Sequence, residues 1–349
     1  MKHVAIIPGD GIGVDVTREA VKVLNRAQEV YAFKLEMTPF DWGAEKYLKE
    51  GITLPEGALD MFRKEYDAIF AGAFGDPRVP DMKHGEDILL GMRFGLDLYI
   101  NFRPIKLLND ALTPLKGRTT RDIDFVIFRE NTEGMYVKIG GIFKKDTPEE
   151  IAIQEDMNTR LGVERIIVAA FEYARKTGRK RVTMADKSNV LRYGHDLWQR
   201  AFAQIAGRYP DLEANTQFVD AVTMWMVLKP DQYDVIVTNN MFGDIITDLG
   251  AALQGGLGMA ASGNIHPGQV SLFEPVHGSA PKYAGKNVTN PIGAILTAGM
   301  MLDFIGYPEA AAGIEKAVVQ TIAAKQVTRD LGGNLSTTDA GEAICSALK

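Results

Sequence analysis

The sequence contains a single cysteine, Cys345, in 349 residues. One thiol cannot build a disulfide framework or a thiolate metal site, and such sparse cysteine is typical of proteins from reducing compartments. Positive charge is also scarce, since 39 Lys and Arg stand against 45 Asp and Glu, which gives a net charge of −6. This balance disfavours nucleic acid as a partner, because proteins that bind it are usually basic.

Long apolar runs are missing as well. The most apolar stretch, residues 291–306, contains Asp303 and is shorter than the roughly 20 residues that cross a bilayer. The first residues lack the apolar core and the cleavage site of a signal peptide. We therefore expect a cytoplasmic globular protein without a membrane partner, and 349 residues of which 46% are apolar suffice for two domains.

Strand-like and helix-like segments alternate along the chain, which predicts an α/β fold. The N-terminal order is β-α-β-α-β, with strands at 4–7, 33–37 and 66–71 and helices at 16–30 and 55–64. A second block has predicted strands at 124–128, 181–185, 213–220 and 235–238 and a helix at 163–175. The polar, glycine-interrupted stretch 136–153 predicts either an arm that clasps a second subunit or an ordinary hairpin.

A glycine-rich turn follows the first predicted strand. Its glycines are Gly9, Gly11 and Gly13, whereas a dinucleotide-binding fingerprint requires its third glycine at the position of Val14. Asp10 also places a carboxylate where a pyrophosphate would approach. The spacing therefore argues against a Rossmann fold and favours a turn that enters a helix, with a ligand nearby as an open alternative.

Three arginines, Arg93, Arg103 and Arg129, lie beside apolar sequence. A guanidinium in such surroundings needs a partner, and a carboxylate is the best match for its planar donors. Each arginine alone is consistent with a structural ion pair. Three that converge would suit a substrate with two carboxylates.

Asp244 and Asp248 are four residues apart in an apolar helical segment, so they share one helix face. Two such carboxylates repel each other unless a cation lies between them, although solvation of an exposed face is the simpler alternative. Asp220, at the end of a predicted strand, offers a third oxygen ligand. Sites made only of carboxylates suit Mg²⁺ or Mn²⁺. Lys187 and Tyr136 can move protons if neighbouring charges lower their pKa values, but neither residue is specific alone.

Six segments together resemble the β-decarboxylating dehydrogenase family, which includes isopropylmalate, isocitrate, homoisocitrate and tartrate/malate dehydrogenases. They occur in the family's order and spacing across almost the whole chain: IPGDGIG, LDLYINFRP, RENTEG, DKSNVL, NNMFGDIITDLGAALQGGLGMAAS and FEPVHGSAPKYAGK, the last followed by NP. The resemblance implies an isopropylmalate-dehydrogenase-like two-domain α/β fold with a mixed sheet, not a Rossmann fold. Residues 1–98 and 254–349 would form the cofactor-binding domain, and 99–253 a dimerisation and metal/substrate domain with an arm near 136–153.

The resemblance also implies the roles of individual residues in a homodimer with shared active sites. Arg93, Arg103 and Arg129 would bind the substrate carboxylates, and Tyr136 and Lys187 would be the acid/base pair. Asp220, Asp244 and Asp248 would hold Mg²⁺ or Mn²⁺, with Lys187 and Asp220 acting in the neighbouring subunit's site. The residues expected to bind the nicotinamide cofactor are Glu86, Asn189, Glu274, His277, Gly278, Ser279, Ala280, Lys282, Tyr283 and Asn290.

The resemblance further implies that residues one to two helical turns before Arg93 recognise the variable substituent of the substrate. Isocitrate enzymes carry Ser and Asn where this chain has Asp87 and Leu89, so a third carboxylate is disfavoured, whereas Leu89 and Leu90 offer an apolar wall for an isopropyl group. The predicted reaction is oxidative decarboxylation of 3-isopropylmalate to 2-oxo-4-methylpentanoate, a step of leucine biosynthesis. Alternatives are tartrate or D-malate, which the arm sequence favours, and then isocitrate or homoisocitrate.

The cofactor expectation depends on Lys282 and Tyr283. NAD-using relatives carry Asp-Ile at these positions, where the carboxylate accepts the ribose 2′-hydroxyl, whereas a cation and a phenol suit a 2′-phosphate. We therefore predict NADP in preference to NAD. A non-redox metal-dependent lyase that uses the same aspartates and arginines is the alternative from a different class.

Overall fold

The computed structural model describes all 349 residues and contains twelve strands and eleven α-helices. The strands are β1 Lys2–Gly9, β2 Leu35–Pro39, β3 Ala68–Ala73, β4 Ile100–Lys106, β5 Asp124–Glu130, β6 Gly140–Phe143, β7 Ile151–Gln154, β8 Arg181–Asp186, β9 Glu213–Phe218, β10 Val235–Thr238, β11 Gly263–Ile265 and β12 Ser271–Phe273. The helices are α1 Ile12–Tyr31, α2 Ala44–Glu50, α3 Ala58–Glu65, α4 Lys83–Gly95, α5 Arg160–Thr177, α6 Gly194–Ala206, α7 Val219–Leu228, α8 Asn240–Leu253, α9 Ile292–Phe304, α10 Pro308–Ala323 and α11 Thr337–Ala347. No helix is both long and apolar enough to cross a membrane.

Two compact units divide the chain. The first comprises residues 1–98, 106–120 and 251–349, and the second comprises 99–105 and 121–250. The sequence-based boundaries at 98 and 253 did not assign residues 106–120 to the first unit.

The first unit is built on strands in the order β2-β1-β3-β12-β11. All neighbours pair in parallel except β11 and β12, which are antiparallel, so the sheet is mixed as predicted. Side chains of β1 and β3 alternate between two apolar cores. Val4, Ile6 and Phe70 pack with α1, α9, α10 and α11, whereas Ile7 and Ile69 pack with α3 and α4. Burial on both faces explains why these strands are continuous apolar runs.

The second unit has strands in the order β4-β5-β10-β8-β9, and β5, β10, β8 and β9 are parallel. Every residue of β10 is buried, as its sequence VIVT leads one to expect. Strands β6 and β7 form a separate antiparallel pair, and all eight of their residues are exposed. The stretch predicted as an arm or hairpin is therefore a solvent-exposed hairpin, whereas its role in dimerisation stays a prediction.

The glycine-rich turn joins β1 to α1, and close backbone packing explains its glycines. Gly9 and Gly11 have φ angles of +71° and +56°. A Cβ on Gly9 would lie 2.2 Å from the carbonyl oxygen of Ala73, and a Cβ on Gly11 would lie 2.1 Å from that of Ser279. The turn thus enters α1 against two other backbone segments, which accounts for its glycines without a dinucleotide fingerprint.

Candidate active site

The carboxylate of Asp244, in α8, is the centre of a polar cluster in the second unit. Its Oδ2 accepts a hydrogen bond from the hydroxyl of Tyr136 at 2.9 Å, and its Oδ1 forms an ion pair with Nη1 of Arg129. Nη2 of Arg103 lies 4.0 Å from the same Oδ1. Two guanidinium groups therefore offset the charge of Asp244, and Tyr136 is oriented towards it.

Arg129, near the end of β5, is almost completely buried, with 1% of its surface exposed. Its Nε and Nη2 donate to Oδ1 of Asn240 at 3.0 and 2.7 Å, and its guanidinium lies 5.1 Å from the ring centre of Tyr136. Gly243 leaves room for it, since a Cβ there would lie 2.4 Å from Cγ of Arg129. Pairing of this kind makes a buried guanidinium tolerable. Asn240 was missed by the sequence analysis.

Arg103, in β4, is also buried and points to the same face of α8. Its Nη1 donates to Oγ1 of Thr247 at 2.8 Å and lies 3.9 Å from Oδ1 of Asp248. Asp244, Thr247 and Asp248 share this face because they are three and four residues apart. Thr247 was missed too, although its spacing from the two aspartates was a usable signal.

Lys187 and Asp220 form a second pair. Lys187 follows β8, and its Nζ lies 2.6 Å from Oδ1 of Asp220. The hydrogen bond from Lys187 is the main reason that the pKa of Asp220 is lowered. The predicted strand 213–220 is corrected here: β9 ends at Phe218, and Asp220 belongs to the first turn of α7.

His195, at the start of α6, fixes the backbone beside Lys187. The backbone N–H of Lys187 donates to Nδ1 of His195 at 3.0 Å. The ring is fully buried, and this burial lowers its pKa, so the imidazole is neutral near pH 7. Sequence spacing gave no hint of this residue, because its contact is with a main-chain atom eight positions away.

The aspartate set fits a hard divalent cation. All its donors are carboxylate oxygens, the ligands that such a cation prefers, and each carboxylate lies within 4.0 Å of a cationic side chain. Within one chain, however, no three His, Cys, Asp or Glu side chains converge into a metal site. The contribution of Asp220 to the site of a second chain, which the family resemblance implies, stays a prediction.

The first unit contains Arg93 and most residues expected to bind the cofactor. Arg93 and Glu86 lie on one face of α4 with Leu89 and Leu90 between them, and all four are partly buried. Nη2 of Arg93 donates to Oε1 of Glu274 at 2.9 Å.

The segment from His277 to Tyr283 has features that suit a polar ligand. Nε2 of His277 is buried without a protein partner, and no atom lies within 4 Å of a Cβ built on Gly278. Ala280 has a φ of +36° and precedes the 3₁₀ turn Pro281–Tyr283, in which Lys282 lies over the ring of Tyr283 at 4.8 Å. An unpartnered imidazole nitrogen beside open backbone fits a dinucleotide's polar groups.

The other predicted residues are placed as follows. Ser279 accepts a hydrogen bond at its carbonyl oxygen from the N–H of Ile12 at 2.8 Å. Asn290 is buried and donates to Asp330 at 3.0 Å. Asn189 is exposed in the turn after Lys187, in the second unit.

The sequence profile of isocitrate/isopropylmalate dehydrogenases matches residues 3–344. The chain belongs to the isocitrate/isopropylmalate dehydrogenase family. It is 44% identical over 346 residues to the 3-isopropylmalate dehydrogenase of Thermobifida fusca, covering 99% of this chain and 97% of that one. It is 45% identical over 344 residues to the 3-isopropylmalate dehydrogenase of Streptomyces griseus, covering 97% and 96%. The crystal structure of isocitrate dehydrogenase from Methylococcus capsulatus has a TM-score of 0.89 and 38% identity, with 100% and 99% coverage.

Membership of the isocitrate/isopropylmalate dehydrogenase family confirms the resemblance drawn from the six motifs and the α/β fold with a mixed sheet. The protein is a dehydrogenase of this family, which uses a divalent metal ion and a nicotinamide cofactor. The choices between Mg²⁺ and Mn²⁺ and between NAD and NADP stay predictions, as do the homodimer and the roles of individual site residues.

Proposed function

We propose that this chain catalyses the oxidative decarboxylation of 3-isopropylmalate to 2-oxo-4-methylpentanoate and CO₂, with reduction of NAD(P)⁺, in leucine biosynthesis. The observation that carries the proposal is the convergence of Tyr136, Arg129 and Arg103 on Asp244. This cluster places a proton donor and two cations that can bind carboxylates beside a candidate metal ligand. The curated relatives named 3-isopropylmalate dehydrogenase support the choice of substrate.

Asp220, Asp244 and Asp248 would hold Mg²⁺ or Mn²⁺, with Asp220 and Lys187 contributed by the second subunit of a homodimer. When bound, the ion would supply Lewis-acid polarisation of the C2 oxygen, and the nicotinamide would supply the acceptor for the C2 hydride. Exposed apolar side chains in this unit support a dimer, among them Trp225 on α7 and Phe143 and Ile151 in the hairpin.

The arginines would bind the substrate's two carboxylates, with Arg93 as the third member of the set. Each charge-assisted hydrogen bond contributes about 1.5–3 kcal/mol. Arg103 and Arg129 are suited to this because their side chains are held by Thr247 and Asn240, so that little flexibility is lost on binding.

Two residues would move protons. Lys187 would accept the proton of the C2 hydroxyl as the hydride leaves, and Tyr136 would donate a proton to C3, the carbon that loses CO₂. One proton is taken up and one is released, so the reaction requires no net proton. The hydroxyl of Tyr136 now donates its proton to Oδ2 of Asp244 at 2.9 Å, so it already acts as a donor towards this cluster.

The substituent of the substrate would meet Leu89 and Leu90 on the face of α4 that carries Arg93. Asp87 plays a smaller part than the sequence suggested. It is off this face, its Oδ2 is paired with Nζ of Lys83 at 3.0 Å, and it also accepts from Thr53 at 3.1 Å. The preference against a third carboxylate therefore rests on the two leucines.

NADP is the proposed coenzyme. Lys282 and Tyr283 are both exposed, and the ammonium group over the phenol ring offers a cation and a hydroxyl to a 2′-phosphate. No carboxylate occupies these two positions to accept the 2′-hydroxyl of NAD.

A substrate and cofactor panel tests the whole proposal. Isopropylmalate, D-malate, tartrate, isocitrate and homoisocitrate are each mixed with enzyme, Mg²⁺ or Mn²⁺, and either NAD⁺ or NADP⁺, and reduced nicotinamide is followed by absorbance. We expect the highest kcat/KM with isopropylmalate and NADP⁺. A higher value with D-malate or isocitrate would replace the proposed substrate, and metal-dependent turnover without any cofactor reduction would favour the lyase alternative.

A further inference from the structure

The buried carboxylate of Asp10 joins four segments of the first unit. It lies in the turn between β1 and α1 with 6% of its surface exposed. Its Oδ1 accepts from the backbone N–H of Ala44 at 2.6 Å, and its Oδ2 accepts from the backbone N–H of Gly75 at 2.8 Å. Oδ2 is also 2.8 Å from Nε2 of His84. One side chain thus connects the β1–α1 turn to the starts of α2 and α4 and to the loop before α4.

His84 is the second residue of α4 and is completely buried. Its Nδ1 has no hydrogen-bond partner in the protein, so the contact with Asp10 is the ring's single polar anchor. A hydrogen on Nε2 gives Asp10 its donor and leaves Nδ1 as the unpaired acceptor. The ring also stacks on Tyr47, with ring centres 6.1 Å apart.

The first N–H of α4 has one further side-chain partner, since Oδ1 of Asp81 accepts from the N–H of Lys83 at 3.1 Å. The residue before the helix, Met82, is in the left-handed region at φ 55° and makes no side-chain cap. A side-chain cap normally satisfies the first N–H groups and fixes the entry of a helix. Asp81 is only two residues from Lys83, whereas the bond from His84 to Asp10 connects the first turn of α4 to the turn between β1 and α1.

Movement of α4 would move the residues that meet the substrate. Glu86 follows His84 by two positions, and Leu89, Leu90 and Arg93 follow along the same face within the next two turns. Since a helix moves as a rigid element, a shift of its first turn displaces this whole face. A displacement of about 1 Å can change turnover by roughly 100-fold.

We propose that the hydrogen bond between His84 and Asp10 sets the position of α4 and thereby the discrimination between isopropylmalate and the unsubstituted D-malate. Both are positioning residues, because neither is assigned a contact with the substrate. The inference rests on the proposed function, in which Leu89 and Leu90 meet the isopropyl group.

Two amide variants test the bond itself. In His84→Gln, the side-chain amide nitrogen takes roughly the place of Nε2 and still donates to Asp10, whereas the shorter side chain of His84→Asn cannot reach. The control is Asp67→Asn. Asp67 belongs to the same unit, and its carboxylate accepts from Nζ of Lys2 and from the N–H of His3. It lies where β1 and β3 begin, whereas Asp10 lies where β1 ends.

The readout is the ratio of kcat/KM for isopropylmalate to kcat/KM for D-malate, since loss of folded enzyme lowers both values equally and leaves the ratio unchanged. We expect His84→Asn to lower the ratio by about tenfold or more, and His84→Gln and Asp67→Asn to keep it within about threefold. Hydrogen exchange should be faster at the backbone amides of residues 86–93 in His84→Asn alone.

An unchanged ratio in folded His84→Asn would overturn the proposal. An equal decrease of the kcat/KM ratio in His84→Asn and His84→Gln would also overturn the proposal, because the effect would then come from loss of the ring that stacks on Tyr47. If His84→Asn does not fold, the bond between His84 and Asp10 serves folding and not substrate discrimination, and the proposal is overturned. If the wild-type enzyme does not oxidise isopropylmalate, the proposed function fails, and hydrogen exchange then decides whether the pair fixes α4.

Discussion

The hydroxyl of Tyr136 donates to the carboxylate of Asp244 at 2.9 Å. The residue proposed as the proton donor and a residue proposed to hold the metal ion are therefore in direct contact, and Arg129 touches both. Asp244 would help to hold a metal ion, and Tyr136 and Arg129 keep its carboxylate oriented.

Tyr136→Phe removes this hydroxyl and keeps the ring over Arg129. We expect kcat to fall by roughly 10²- to 10⁴-fold, since a positioned acid contributes about that much. Reduced cofactor and released CO₂ are to be measured separately. Normal folding by circular dichroism is the control, and CO₂ release at the wild-type rate would remove Tyr136 from the mechanism.

Lys187→Met removes the proposed base and leaves the charge of Asp220 without its cation. We expect kcat to decrease by about 10²-fold or more in steady-state assays, with KM changing less, because the proton is transferred only in the chemical step. Lys180→Met, at an exposed lysine of the same unit, should behave like the wild type. Comparable rates for the two variants would contradict the assignment.

The double substitution Lys282→Asp with Tyr283→Ile should change coenzyme preference. It removes the cation and phenol proposed to bind a 2′-phosphate and adds a carboxylate that accepts a ribose 2′-hydroxyl. We expect the ratio of kcat/KM for NADP⁺ to that for NAD⁺ to fall by roughly tenfold, the value of one charge-assisted contact. Lys286→Asp changes charge in the same exposed segment and controls for non-specific attraction. If the control lowers the ratio as much, recognition lies outside positions 282 and 283.

Leu89→Asn tests the apolar wall. Placing an amide there should weaken kcat/KM for isopropylmalate by about tenfold and leave D-malate nearly unaffected, since only the former has an apolar substituent to bury. Phe94→Asn changes an exposed apolar residue one position beyond Arg93 and is the matched control. Equal losses with both substrates in Leu89→Asn would show that this side chain does not contact the substituent.

The free energy of unfolding should decrease in mild acid because His195 is buried. Burial lowers its folded-state pKa below 6.5, so below about pH 6.5 the unfolded chain binds a proton that the folded chain excludes. Stability is therefore full above that pH and falls as the pH decreases, by at most about 1.4 kcal/mol per pH unit for one histidine. His277 has a pKa lowered by burial as well and acts in the same direction.

His195→Asn isolates this contribution, because its Oδ1 can replace Nδ1 as the acceptor for the N–H of Lys187 while the titrating ring is absent. Urea unfolding between about pH 5 and pH 7.5 should show a smaller loss of stability in acid for this variant. Identical pH profiles of the variant and the wild type would exclude His195 as the source.

The sequence predicted most strands of the fold because buried parallel strands leave runs such as VIVT, which is the whole of β10. It missed α2, whose seven residues AEKYLKE bury only Ala44 and so show little apolar periodicity. It also extended β9 to Asp220, because nothing in the strand-like run Phe218–Val219 indicates that Val219 begins a helix. Local patterns find elements, whereas their ends depend on packing.

In the candidate site, the sequence identified the charged residues and missed the uncharged ones that hold them. Asn240 holds Arg129 and Thr247 holds Arg103, yet each pair is separated by more than 100 residues. His195 acts on a backbone atom of Lys187, which no pattern of side chains records. Contacts of this kind are set by tertiary structure and require coordinates.

Gly243 of α8 lies so close to Arg129 that glycine is expected to be more favourable than alanine at this position, contrary to their helix propensities. Alanine is the best helix former and glycine among the poorest, so Gly243→Ala should strengthen the helix by up to about 1 kcal/mol if only the backbone mattered. The added methyl group would instead lie 2.4 Å from Cγ and 2.5 Å from Cβ of the buried Arg129 side chain. Gly243→Ala should therefore lower the free energy of unfolding, although alanine is the better helix former.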